Sequence, residues 1–229
     1  MGHTFFIAGT DTDVGKTLIA TGILAAANEQ GLSTVAIKPI AAGCEETPDG
    51  LRNEDALLLQ QAMSLELCYE QVNPVALKPA IAPHIAARQI GKRLMVSQLA
   101  GYCRGVLMQR SDLAVIEGAG GWRVPLNPVE TLAGLAKELN LPVILVVGVR
   151  LGCINHALLT AEAIANDGLP LAGWVANRLE DDMPCYEENI LTLKSLIRAP
   201  CLGEVPVLEN PTAEAVSPYI NLDSVLNRG

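Results

Sequence analysis

The stretch TFFIAGTDTDVGKT, residues 4–17, decides the fold. Its first half, Thr4 to Ala8, is apolar and rich in strand formers. From Lys16 to Asn28 the pattern becomes that of a mostly buried helix ending near Gly31. Between them lies a short acidic loop closing on Gly15-Lys16-Thr17. A loop of this kind between strand and helix is the context of a phosphate loop. Backbone N–H groups of the loop and of the first helical turn face phosphate oxygens, the lysine adds a point charge at the β- and γ-phosphates, and the threonine hydroxyl reaches Mg²⁺. The spacing departs from G-x-x-x-x-G-K-T at one place: Thr10 stands where the first glycine belongs, and Gly9 comes one residue early.

The same alternation continues outward. Strands are expected at Thr34 to Lys38, Leu113 to Ile116, Pro142 to Val147, Leu171 to Ala176 and Cys201 to Val205. Helices are expected at Glu54 to Met63, His84 to Gln89, Val96 to Gln109, Thr131 to Leu139, Ile154 to Asn166 and Cys185 to Ile197. Ala41 to Arg52 reads as a loop, and the proline-rich Val72 to Pro83 as irregular. Strand and helix in alternation imply an α/β fold with right-handed crossovers: a P-loop NTPase-like single domain over residues 1–229, its mostly parallel sheet covered by helices on both faces. Half of the 229 residues are apolar and aromatics are few, so Leu, Ile, Val and Ala fill the core.

A formal charge of −9 argues against non-specific nucleic-acid binding, which needs a basic surface. A nucleotide needs only a local positive pocket. The six cysteines form no CxxC pair and no Cys/His zinc spacing, so they read as reduced thiols of a cytoplasmic protein. The longest apolar run, Leu141 to Val149, is too short to span a bilayer. His84 and His156 have no metal partners at suitable spacing.

Ligands of open α/β sheets gather at the carboxyl ends of the strands, so residues there are the site candidates. Glu117 ends an apolar strand beside the flexible Gly118-Ala119-Gly120-Gly121 turn, where phosphoryl-transfer chemistry places a metal-holding acid. Lys38 ends the second strand and is a candidate anion contact. Asp55 reads either as a metal ligand or as a first-turn acid complementing its helix dipole, and spacing does not decide between them. The helix start at Gly152-Cys153-Ile154-Asn155 has free N–H groups suited to a carboxylate, and Asn177 ends a strand where its amide can read an adenine edge.

GTDTDVGKT, KPIAAG (38–43), ETPDGLRNEDA (46–56), VNP (72–74), APH (82–84), IEGAGGW (116–122), LPVILVVGVRLGCINHA (141–157) and GWVAN (173–177) occur in this order. Together they resemble dethiobiotin synthetase of the biotin pathway, from about Thr4 to Asn221. The resemblance implies a reaction of 7,8-diaminopelargonate, CO₂ and ATP with Mg²⁺. The 7-amino group forms a carbamate whose oxygen attacks the γ-phosphate; the 8-amino group then closes the ureido ring of dethiobiotin and expels phosphate.

By the same resemblance Lys16 and Lys38 neutralise the γ-phosphate and the carbamate, and Thr17, Asp55 and Glu117 hold Mg²⁺. Asp13, Val14, Gly15, Lys16, Thr17 and Leu18, with Gly118, Ala119 and Gly120, line the nucleotide phosphates. Asn177, Arg178 and the backbone of Pro206, Val207 and Leu208 hold adenine. Residues Gly152 to Asn155 bind the substrate's carboxylate tail across a two-fold interface, which implies a homodimer with shared sites. Two positions depart from the family: Ala42 stands where members carry a substrate-contacting serine, and Asp13 where glutamate is common.

Other α/β readings fit less well. Amidases acting on corrin side chains carry a fused glutamine-hydrolysing domain, for which 229 residues leave no room. Partition-type ATPases carry an extra lysine early in the loop, where this chain has Thr10 and Asp11. A relative with an altered amine substrate stays open because of Ala42.

Overall fold

The computed structural model describes residues 2–226. The chain opens with strand β1 (His3–Gly9), helix α1 (Lys16–Glu29) and strand β2 (Thr34–Ile37). Short strands β3 (Ala41–Ala42), β4 (Glu45–Thr47) and β5 (Gly50–Arg52) follow, then helices α2 (Glu54–Ala62) and α3 (Tyr69–Val72), strand β6 (Ala76–Leu77) and helix α4 (Pro83–Gln89). Next come α5 (Val96–Leu107), β7 (Leu113–Glu117), α6 (Ala133–Glu138), β8 (Val143–Val149), α7 (Cys153–Asn166) and β9 (Leu171–Arg178). The described chain closes with α8 (Tyr186–Leu196), β10 (Cys201–Val205), α9 (Ala213–Val216), a 3₁₀ turn at Ser217–Tyr219 and α10 (Asp223–Leu226).

Six strands form one parallel sheet in the order β10-β9-β8-β1-β7-β2. β1, β7 and β8 are almost continuously buried, as strands covered on both faces must be. α1 crosses from β1 towards β2 and packs with α9 on one face. α5 to α8 follow crossovers running the other way, so the right-handed rule sends them to the opposite face, where α5 meets α6 and α7 meets α8. The direction of winding therefore reverses beside β1.

The segments read as loop or irregular carry order of their own. β4 and β5 form an antiparallel hairpin inside residues 41–52, and β3 pairs in parallel with β6 inside 72–83. Residues 69–72 form α3, so the irregular stretch begins after Val72. Past β10, where no element was expected, the chain forms α9, the 3₁₀ turn and α10; the expected elements otherwise shift at their ends by one or two residues.

Candidate active site

Three neighbouring strands end side by side and deliver the charged groups. In the order β1-β7-β2, Ile7 lies opposite Glu117 and Ile37 opposite Ile116, so the phosphate loop, Glu117 and Lys38 become neighbours. Above them opens a crevice of about 810 Å³, lined among others by Asp13, Gly15, Lys16, Thr17, Lys38, Ala42, Asp55, Glu117, Ala119 and Gly120.

The loop is held from below by glycines. A Cβ at Gly9 would lie 2.8 Å from a Val14 methyl, and one at Gly148 would lie 2.8 Å from the other. Gly9, one residue early for the phosphate-loop pattern, thus makes room for Val14 and the Lys16 stem. Gly15 takes a left-handed φ of 83° as it opens α1, and Asp13 a φ of 56°. The Lys16 ammonium donates to the Asp11 carbonyl at 2.9 Å. Burial lowers its pKa, and the opposing pull of Glu117 does not fully offset this.

Lys38 sits between two carboxylates. Its ammonium donates to Asp55 Oδ2 at 2.8 Å and to Glu117 Oε1, while the Thr17 hydroxyl donates to the same Glu117 oxygen at 2.9 Å. Burial alone would lower the Lys38 pKa, but Glu117 and then Asp55 outweigh it and hold the ammonium above the usual lysine range. Burial likewise pushes Asp55 up, and the Lys38 charge, hydrogen bonds from Lys38 and Thr17 and the Lys16 charge together bring it below the usual carboxylate value. Glu117 is fully buried and its Oε2 has no partner among the described residues. Two carboxylates and a hydroxyl, with one buried oxygen unsatisfied, form a hard-oxygen donor set that fits Mg²⁺ completed by substrate phosphates.

Residues to which the sequence reading gave no role place these groups. The Lys38 N–H donates to the Val72 carbonyl at 2.8 Å, and Asn73 Nδ2 donates to the Lys38 carbonyl at 2.7 Å. Tyr69 links Asn73 to the backbone of Asn53, which caps α2 by accepting from the Ala56 N–H. One run of hydrogen bonds thus joins Lys38 to the helix start that carries Asp55. Asn53 before Glu54-Asp55 is a recognisable cap signal, whereas Asn73 is marked only as part of the VNP motif, without a role. Arg123 and the turn from Ala80 to Pro83 also line the crevice.

The remaining candidates lie around this centre. Gly118 packs against Phe6, where a Cβ would come within 3.1 Å of the ring, and Leu18 is half-buried in the first turn of α1. Asn177 is buried beside the loop and donates to the Val14 carbonyl at 3.0 Å. Val205 pairs with Asn177, so Pro206, Val207 and Leu208 leave the sheet beside it. Arg178 is engaged elsewhere, bonding the Glu180 and Asp181 carbonyls over the Tyr186 ring. Gly152 to Asn155 do not line this chain's crevice; Gly152 and Asn155 are exposed and Cys153 is buried. Arg150, just before them, reaches the loop at Asp11 over 3.2 Å.

A family model described as an AAA domain matches residues 3–215. The chain is 63% identical over 223 residues to the ATP-dependent dethiobiotin synthetase BioD of Cellvibrio japonicus, covering 97% of each chain. It is 58% identical over 218 residues to the Pseudomonas aeruginosa protein of that name, covering 95% of this chain and 96% of the other. This chain belongs to the dethiobiotin synthetase family.

This chain shares its fold with distant P-loop proteins. The septum site-determining protein MinD of Pyrococcus horikoshii aligns at a TM-score of 0.53 and 18% identity, covering 99% of this chain and 90% of that one. The chloroplast FtsY of Physcomitrella patens aligns at 0.53 and 16%, and this chain spans 65% of its length. These likenesses carry the fold alone. The dethiobiotin synthetase relatives, similar along almost the whole chain, distinguish this protein from a partition-type switch of the same fold.

Proposed function

We propose that this site makes dethiobiotin from 7,8-diaminopelargonate, CO₂ and ATP, releasing ADP and phosphate. The observation that carries the reading is the meeting of Lys38 with Asp55, Glu117 and Thr17 directly beside the phosphate loop. The phosphate loop, with Asp13 to Leu18 and the Gly118 to Gly120 turn, binds the triphosphate. Lys16 neutralises the γ-phosphate. Thr17, Asp55 and Glu117 hold Mg²⁺, which when bound offsets charge on the β- and γ-phosphates.

The 7-amino group attacks CO₂ and loses a proton, giving a carbamate whose charge Lys38 stabilises. The carbamate oxygen displaces ADP from the γ-phosphorus. The 8-amino nitrogen then attacks the activated carbonyl carbon, closing the ring, and phosphate leaves with the former carbamate oxygen. Lys38 acts through its fixed charge, not as a proton shuttle: a pre-placed charge in a buried site needs no reorganisation.

Asn177 and the Pro206 to Leu208 backbone take the adenine. Gly152 to Asn155 lie outside their own chain's crevice, which supports their binding the substrate tail in a partner's site, in a homodimer. Among the described residues no helix is long and apolar enough to cross a membrane, and we place the enzyme in the cytoplasm.

The reaction is tested with bicarbonate labelled with carbon-13 and oxygen-18. The expected outcome is carbon-13 in the dethiobiotin ureido carbon and one oxygen-18 in the released phosphate. Phosphate whose fourth oxygen comes from water rather than from the label, with no labelled dethiobiotin, would overturn it.

A further inference from the structure

Among loop residues 10–15 only Val14 is buried, at 1% exposure, and three strand ends hold it. Gly9 of β1 and Gly148 of β8 leave the space that its methyls fill. Asn177 of β9, itself 5% exposed, grips its carbonyl with Nδ2 at 3.0 Å. The same nitrogen lies 2.2 Å from where a Cβ on Gly15 would stand. A carbonyl only accepts hydrogen bonds, so the amide must present its nitrogen to the loop and its oxygen elsewhere.

That grip has a consequence one atom further along. The peptide unit is planar and trans, so the Val14 carbonyl and the Gly15 N–H point in opposite directions from one rigid plate. Fixing the carbonyl fixes the N–H. Without such a hold the plate is free to turn, because Gly15, at φ 83°, has no side chain to resist rotation. Gly15 lines the crevice, and its N–H is one of the donors a phosphate loop offers.

We propose that Asn177 is a positioning residue for the phosphate loop: its amide nitrogen locks the Val14–Gly15 peptide so that the Gly15 N–H serves the phosphates. This role is separate from contact with the base at its other end. It rests on the nucleotide reading of the site given above.

A ligand without a base separates the two roles. Binding of magnesium tripolyphosphate and of magnesium ATP is measured by calorimetry for the wild type, Asn177→Asp and Asn177→Ala. Asn177→Asp keeps the size and the outward oxygen but removes the donor. Losing one hydrogen bond at the loop should weaken tripolyphosphate binding about tenfold in both variants, with ATP weakened at least as much. Tripolyphosphate affinity within about twofold of wild type in both variants would overturn the proposal, whether or not ATP affinity falls.

The wild type gives a second readout, independent of how the variants fold. The Asn177 side-chain amide protons should exchange slowly with solvent, and more slowly still with magnesium tripolyphosphate bound. Exchange at the free-amide rate in both states would overturn the lock. A wild type that binds neither tripolyphosphate nor ATP would overturn the nucleotide reading, and the proposal with it.

Discussion

Lys38, Asp55 and Glu117 show how few atoms set the chemistry. The buried Lys38 is paired with two carboxylates, and the same carboxylates have the oxygens a magnesium ion needs. Ala42 lines the same crevice, at the position where the resemblance to the family expects a serine hydroxyl. Ala42→Ser should lower the KM for the diamine by up to about tenfold with kcat little changed, the worth of one hydrogen bond to a polar substrate. Steady-state kinetics check it, and an unchanged KM would mean that the serine contact is not used here. Away from the crevice, Asp167 accepts from Trp122 at 2.8 Å, Arg123 at 2.5 Å and Lys137 at 3.3 Å. Burial would raise its pKa, but these donors hold it below the ordinary 3.8. A depressed carboxylate contributes stability above its unfolded pKa and loses it as pH falls through the native one. Asp167→Asn should therefore be less stable than wild type by about 1–3 kcal/mol near neutrality. The two melting curves should converge in acid below pH 3.8. A gap that persists into acid would show that shape, not charge, matters at this position.

Among the elements, β8 does more than fill the sheet. Gly148 sits under Val14 and Leu179, and an added Cβ would lie 2.8 Å and 2.9 Å from them. Gly148→Ala should cost about 1–3 kcal/mol of stability by overpacking. It should also weaken ATP binding by lifting the phosphate loop, so melting and nucleotide titration are measured together. Long elements such as β1, α1 and β8 were legible because their apolar patterns run for many residues. The β4–β5 hairpin was not: Glu45 to Thr47 is exposed and polar and shows no alternation. Neither was the β3–β6 pair, since Ala41 and Ala76 meet only through the tertiary fold. The site divides the same way. Lys16 and Thr17 announce themselves in the phosphate-loop motif and Glu117 at a strand end, while Asn73 and Tyr69 act by holding backbone, a role that residue type and periodicity do not reveal.

For the whole molecule, the reversal of winding beside β1 opens the crevice and sets the strand ends that fill it. The acidic charge of −9 is compatible with an anionic substrate because Lys16, Lys38 and Arg123 line that crevice. The proposed homodimer, with the substrate tail bound in trans, makes a quantitative prediction. Lys38→Met and Gly152→Trp are each inactive alone, but subunits exchanged at random should regain about a quarter of wild-type activity, since half the dimers then carry one intact site. Mixtures that stay inactive, although hybrid dimers form, would place tail and chemistry in one chain. The most direct test of the account is phosphate release from magnesium ATP and bicarbonate, with and without 7,8-diaminopelargonate, for wild type and Lys38→Met. Release that needs the diamine, matches dethiobiotin one for one by mass and falls about 10²–10³-fold in the variant is the predicted result. Phosphate release indifferent to the diamine, or undiminished without the Lys38 charge, would contradict it.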